Sequence, residues 1–183
     1  MSVISPRAYE APDFVEPFVG WRVWLVAEEE DSLRLRSVVF NVPWPVGRAM
    51  EAECLRRRIN LLPWRKQPPH SAPIPECDCG IYGATLDRVS GYLDGRFDAH
   101  RVHRVLGRVS LWGDVVECAW GFRASYAYPA QLYVPDRSAR SGLSPEEVAL
   151  GLTDYRVPVE LADGVPPERL VDTLAAELAR DAA

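Results

Sequence analysis

The segment 104–117 constrains the fold more than any other part of the chain. It reads RVLGRVSLWGDVVE, is rich in β-branched residues, and contains glycines at positions 107 and 113. β-Branched side chains fit the pleated surface of a sheet, and isolated glycines within such a run are typical of bulges or bends. The segment therefore predicts a curved strand, or a strand pair, in a small barrel.

Other segments add to this β content. Residues 20–27 alternate in polarity, and residues 33–42 alternate again after an acidic turn, so the two predict a hairpin. Residues 121–125 and 131–134 have strand character too, with Tyr128 and Pro129 predicted to end the first piece. The face of the first strand that is predicted to be buried carries Trp21, Val23, Leu25 and Ala27.

The predicted helices are short. One is expected at about 46–59, one at 85–93 with the Thr85 hydroxyl as its cap, and one after the capping signature SPEE at 144–147. A C-terminal helix at 167–180 is amphipathic and is predicted to pack on the barrel through Leu170, Leu174 and Leu178. The fold class is therefore α+β and mainly β: a small curved sheet or partly open barrel with short helices and a C-terminal amphipathic helix.

Composition suggests three parts: an N-terminal extension at 1–19, a β-rich module at 20–135 with a proline-rich loop, and an acidic, mostly helical appendage at 136–183. The net charge is −5, and residues 136–183 hold ten acids against five arginines, so the preceding part is neutral. This balance gives no long-range attraction to nucleic acid. No apolar run approaches the roughly 20 residues that a bilayer requires, and no export signal is evident, so a cytoplasmic protein without membrane contact is expected.

The four cysteines are expected to be thiols or metal ligands, because reducing compartments disfavour disulfides. Cys77 and Cys79 flank a single residue, and Gly80 follows, so a turn can aim both thiolates at one point. Cys54 and His70 complete a set that suits tetrahedral zinc. Since four protein ligands leave no position for water or substrate, the predicted zinc site is structural.

Other interpretations of these residues remain open. Standard zinc knuckles separate two cysteines by two residues rather than one, and free cysteines often simply pack in a core. Cys118 is predicted to be a core residue, but it could replace His70 as the fourth ligand. His100 and His103 stand in a basic stretch and are expected at the surface. A redox pair formed by Cys77 and Cys79 is a further alternative.

Four segments together resemble a group of uncharacterised proteins of actinobacterial type. They are CDCGIYGA at 77–84, GRVSLWGDVVE at 107–117, GFRASYAYP at 121–129 and LYV at 132–134. The resemblance extends from about residue 20 to 134 and does not include the tail. It implies a shared metal-binding module, with a cysteine near Cys54 and a histidine near His70, and it implies no particular activity.

These features favour a non-catalytic binding or adaptor role, with another protein as the expected partner. The alternatives are a nucleic-acid-binding module and a metal-dependent enzyme, in which the metal keeps an open position or Asp114 and Glu117 act with Arg123. No phosphate-binding loop, nucleophile elbow or HExxH helix is present, so no catalytic residue is assigned. The candidate ligand-binding residues are Arg108, Trp112, Arg123 and Tyr128.

Overall fold

The computed structural model describes residues 16–30, 32–54, 70–93, 103–136 and 142–181. Within these ranges seven strands form one mixed sheet, and short helices accompany it, so the predicted mainly β fold class is confirmed. The strands are β1 (Phe18–Glu29), β2 (Ser32–Ser37), β3 (Met50–Glu51), β4 (Ile81–Ala84), β5 (His103–Cys118), β6 (Gly121–Pro135) and β7 (Val159–Ala162). The helices are α1 (Ser90–Leu93), α2 (Pro145–Leu152) and α3 (Pro167–Asp181), with 3-10 turns at Leu86–Arg88 and Thr153–Tyr155.

Four strands close into a ring. β5 pairs antiparallel with β1 on one side and with β6 on the other, and β6 pairs antiparallel with β4. A single register pair, Trp21 with Ala84, joins β4 back to β1. The ring is therefore a partly open barrel whose narrowest seam lies between β1 and β4. Outside it, β2 extends the sheet from β1, while β3 and the parallel strand β7 pair with β6.

The long strand β5 bends as predicted. Its register with β6 shifts between Arg108 and Val109 and again between Trp112 and Val115. Gly107 precedes the first shift, and a Cβ atom at this position would lie 2.2 Å from the Gln131 carbonyl oxygen. A side chain at position 107 would thus displace the neighbouring strand, which explains why glycine stands at this bend.

The main core fills the inner face of the ring. Trp24 and Val26 of β1 are buried there, and Trp24 meets Trp44 edge to face with ring centroids 5.3 Å apart. Helix α2 covers one side of this core through Val148 and Leu152. The main core therefore takes the opposite set of alternate residues from the predicted face, while Val23 and Trp21 of that face belong to a second cluster.

A second hydrophobic cluster lies on the outer face of β1 and β5. Val23 and Leu106 pack there against α3, which contributes Leu170, Val171 and Leu174. This contact confirms that the C-terminal helix packs on the sheet, although Leu178 remains 45% exposed. Because both faces of β1 contribute to hydrophobic clusters, simple alternation could not identify its inner side.

Several local predictions differ from the structure. Residues 46–54 contain a turn and β3 rather than a helix, and residues 55–59 lie outside the described ranges. Thr85 makes no capping hydrogen bond, and the helix predicted at 85–93 is a 3-10 turn followed by the short helix α1. Ser144 does form the predicted capping box with Glu147. β6 runs through Pro129 without a break, because that proline occupies a position next to the first register shift.

Candidate metal centre

The candidate metal centre lies where the chain leaves the sheet and returns to it. β3 pairs with β6 at Ala127 and Tyr126, and the Ala52 amide donates to the Ser125 carbonyl at 2.8 Å. β4 then continues along the same edge from Ala124. The two strands therefore occupy one continuous edge of β6. Of residues 53–80, which connect the two strands, the described residues 53–54 and 70–80 lie outside the sheet, and we call 53–80 the excursion.

Four side chains from the two ends of the excursion converge on one point. Cys54 comes from its start and His70, Cys77 and Cys79 from its end, and one ligand atom from each lies within 4.8 Å of all the others. The Sγ atoms of Cys54 and Cys77 are 3.8 Å apart, and Cys79 Sγ is 3.4 Å from His70 Nε2. The cluster predicted from the sequence is thus assembled, and it could hold a metal ion.

The turn that carries Cys77 and Cys79 has a backbone suited to this convergence. The Cys77 amide donates to the Ile74 carbonyl at 3.2 Å, which begins the turn. Gly80 ends it with a φ of 117°, a conformation that side chains disfavour, and a Cβ atom there would lie 3.0 Å from Pro73. The Tyr82 hydroxyl donates to the Asp78 carbonyl at 2.8 Å. These contacts hold both thiols on the same side.

The Arg123 side chain stabilises this cysteine turn through hydrogen bonds to its backbone. Its side chain is buried, and Nη1 donates to the carbonyl oxygens of Cys77 and Cys79, at 2.8 Å in the second case. Nε donates to Cys118 Sγ at 3.1 Å. Burial acts to lower the pKa of Arg123, but the contact with Cys118 and the nearby Tyr82 and Cys79 outweigh it and raise the pKa. Arg123 is therefore an internal support rather than an exposed contact residue.

The two thiols of the turn have opposite acid–base tendencies. Burial acts to raise the pKa of Cys77, but hydrogen bonds with Cys79, Cys54 and His70 outweigh it and leave the pKa lowered. Burial, with the charges of Cys77 and Cys54, raises the pKa of Cys79 despite a backbone hydrogen bond from Ile74. The first thiolate thus disfavours ionisation of its neighbour, as expected for like charges in close contact. A bound cation would stabilise both thiolates and so offset the repulsion between them.

The other candidate ligands lie apart from the cluster. Cys118 engages Arg123 and the Val116 carbonyl and does not belong to the group of four. His103 was predicted at the surface, but it is only 3% exposed within β5, and burial lowers its pKa. His100 lies outside the described residues.

The candidate ligand-binding side chains engage different neighbours. Trp112 stacks with Tyr126 at 6.3 Å between ring centroids. The Tyr128 hydroxyl donates to the Tyr155 carbonyl at 3.1 Å, and Arg108 is exposed on β5. The hydrogen bonds of Arg123 go to the cysteine turn and Cys118, and none goes to Asp114 or Glu117.

The supporting role of Arg123 was missed by sequence reasoning. A signal was present, since an arginine between Phe122 and Ala124 interrupts an apolar strand, and a charged residue that becomes buried requires partners. The sequence does not indicate which partners those are. They are backbone carbonyls from a segment 44 positions away in the chain.

Comparison with models of known protein families gives no match. Comparisons with curated proteins and with solved structures likewise give none. Among the described residues, no helix is long and apolar enough to cross a membrane. Inference about function therefore rests on the geometry of the chain itself.

Proposed function

We propose that this chain is a non-catalytic binding or adaptor protein whose β-rich fold is stabilised by a structural zinc ion. The ligands are Cys54, His70, Cys77 and Cys79. The observation that carries the proposal is the convergence of their four donor atoms within 4.8 Å of one another.

The separations between donors fit tetrahedral zinc. With Zn–S bonds of about 2.3 Å and Zn–N bonds of about 2.05 Å, a tetrahedron has S–S edges of about 3.8 Å and S–N edges of about 3.6 Å. The Cys54–Cys77 separation is 3.8 Å, and the Cys79–His70 separation is 3.4 Å. These are two of the six separations, and the others lie within 4.8 Å, so a zinc ion requires side-chain adjustments of up to about 1 Å.

The chemistry of the donors favours zinc and a structural role. Thiolate and imidazole are the ligands that zinc accepts together, whereas magnesium and calcium prefer oxygen. Four protein ligands fill a tetrahedron, so water or substrate has no coordination position. Three thiolates with one divalent ion leave a single negative charge, and the Arg123 guanidinium beneath the turn balances it. Such neighbours commonly tune the affinity of a metal site.

A zinc ion would cross-link the start of the excursion, at Cys54, to its end, at His70, Cys77 and Cys79. Cys54 and Cys77 lie 23 positions apart, and cross-linking a loop of this size stabilises the folded state by about 3 kcal/mol in the chain-entropy model. Among the described residues, the hydrophobic cluster around these ligands has only Ala72, Cys77 and Cys79 as its buried members. Metal ligation thus replaces the burial that a larger core would provide.

The binding or adaptor part of the proposal is supported by exposed aromatic side chains at β4. Tyr82, whose hydroxyl bonds to the cysteine turn, is 43% exposed. Trp120, whose carbonyl accepts from the Thr85 amide at the other end of β4 and whose ring contacts Arg88, is 55% exposed. Exposed aromatic residues are enriched where proteins bind one another. Another protein in the cytoplasm is therefore the proposed partner. The resemblance to the actinobacterial-type proteins belongs to the same proposal, because it implies the same metal-binding module.

The proposal is tested by the metal content of protein purified without chelator. We expect about one zinc per chain by elemental analysis. Exchange with Co²⁺ should produce the visible absorption of a tetrahedral thiolate site. Cys79→Ser should lose the metal, because it removes one of four ligands.

Cys118→Ser is the matched control, since it makes the same change at a cysteine outside the cluster, and it should retain the metal. A metal-free wild-type protein with four free thiols would show that the cysteines only pack. Retention of zinc and of the melting temperature by Cys79→Ser would likewise overturn the proposal.

A further inference from the structure

A half-buried arginine, Arg22, and its neighbours lie at the seam between β1 and β4. Arg22 of β1 donates through Nη1 to the Tyr82 carbonyl at 2.7 Å and through Nη2 to Ser37 Oγ at 3.2 Å. Its guanidinium also lies over the Trp44 ring, 5.1 Å from the centroid. Arg22 therefore bridges β1, the end of β2 and β4 where only one strand pair closes the ring.

Hydrogen-bond donors outnumber acceptors at this seam. Arg22 Nε and Trp24 Nε1 are enclosed, and neither has a hydrogen-bond partner among the described residues. Trp44 Nε1 donates at 3.0 Å to Ser37 Oγ, the same oxygen that accepts from Arg22. Buried donors are rarely left without acceptors, because losing their hydration costs free energy. The described part of the chain therefore supplies too few acceptors at this seam.

The missing acceptor should carry negative charge. Arg34, Arg36 and Arg88 each pair with a carboxylate, whereas no acidic side chain among the described residues pairs with Arg22. Burial lowers the pKa of Arg22 to about 10, which leaves the guanidinium cationic at neutral pH. An unpaired cation in a poorly hydrated site is unfavourable, and an anion would offset this cost.

We propose that the seam binds the oxyanion group of a small acidic molecule, either a carboxylate or a phosphate, through Arg22 and Trp24. The edge formed by Arg22 Nε and Nη2 presents parallel N–H bonds, which match two oxygens of such a group. Trp24 lies two residues further on the same face of β1, and its ring also contacts Trp44. The Arg22–Tyr82 bond lies at the surface, so solvent reaches one side of the seam.

This seam is separate from the metal centre, although one residue contacts both. The Tyr82 carbonyl accepts from Arg22, while its hydroxyl donates to Asp78 in the cysteine turn. None of the four metal-ligand candidates contributes to the seam. Oxyanion binding and zinc content can therefore be measured independently on the same sample.

The test is a titration of the wild-type chain, labelled with nitrogen-15, with sodium phosphate and separately with sodium acetate. Sodium chloride keeps the ionic strength constant. We expect saturable shifts of the Arg22 Nε–H and Trp24 indole N–H resonances. Saturation by phosphate alone identifies a phosphate group, and saturation by acetate alone identifies a carboxylate. If neither oxyanion gives saturable shifts through the millimolar range, or if chloride shifts these resonances equally, the proposal is wrong.

Variants then connect the binding to the guanidinium. Arg22→Gln should weaken the apparent affinity at least tenfold, whereas Arg48→Gln, which makes the same charge change at an exposed turn, should leave it unchanged. Equal weakening in both variants would indicate a general charge effect and would overturn the assignment. Because Arg22 also joins β1 to β4, Arg22→Gln can fail to fold, and the wild-type titration then decides alone.

Discussion

The main core and the cysteine turn are stabilised in different ways. The main core contains large apolar side chains such as Trp24, Leu111 and Leu132, all fully buried. Burying one leucine contributes about 1.5 to 3 kcal/mol, so this region is stabilised by apolar burial. The cysteine turn buries only small side chains and relies on hydrogen bonds from Arg123 and, under the proposed function, on zinc ligation. Changes in the two regions should therefore affect different measurements, global stability for the core and zinc retention for the turn.

The largest effect is expected from Leu132→Ala in the main core. Leu132 is fully buried in β6, and the cavity left by this substitution should lower the free energy of unfolding by about 3 to 5 kcal/mol. Chemical denaturation measures this loss. The folded fraction should still carry its full complement of zinc, because position 132 is paired with Gly107 and Val159, away from the turn. Loss of zinc from the folded fraction would contradict a division into two regions.

A smaller global effect and a larger local one are expected from Arg123→Met. This change leaves the buried carbonyls of Cys77 and Cys79 without their donor, which should cost about 2 kcal/mol. Zinc affinity, measured by competition with a chelator, should fall about 10- to 100-fold, as for other residues that orient metal ligands. Arg48→Met is the control at an exposed site. Unchanged zinc affinity in Arg123→Met would mean that the guanidinium does not hold the turn.

The difference between the two regions also explains what the sequence could predict. The curved strand β5 and helix α3 were predictable because their patterns are local: glycines within a β-branched run, and leucines at helical spacing. The ligand cluster was predictable because Cys54, His70, Cys77 and Cys79 are the residue types that zinc selects. Their convergence needed only a turn and the return of one segment to the same edge of β6.

Other features depend on contacts that are distant in sequence. Both faces of β1 contribute to hydrophobic clusters, and closure of the ring decides that Trp24 rather than Trp21 enters the main core. The burial of His103 likewise follows from its place in β5, opposite Val26. Arg22 and Arg123 are both arginines in β-strands, and only tertiary structure distinguishes the one at the seam from the one beneath the cysteine turn.

An intermediate effect is expected at the start of α2. Ser144 accepts from the Glu147 amide at 3.2 Å and completes a capping box, so Ser144→Ala should destabilise the protein by about 1 kcal/mol. Since α2 covers the main core, thermal unfolding should report this change and zinc affinity should not. Ser144→Asp, which retains a capping oxygen, is the control. A change in zinc affinity on Ser144→Ala would show that the two regions are coupled.

The smallest effect on stability is expected at a surface ion pair, to which neither apolar burial nor metal ligation contributes. Arg34 and Asp154 form an ion pair at 3.1 Å between β2 and the 3-10 turn after α2, and the Asp154 side chain is 54% exposed. Solvent screens such a pair, so Asp154→Asn should change stability by about 0.5 kcal/mol or less, and less still at high salt. A double-mutant cycle with Arg34→Gln isolates the pair. A salt-insensitive coupling well above this value would mean that β2 depends on charge as well as on the main core, because a screened surface contact cannot produce it.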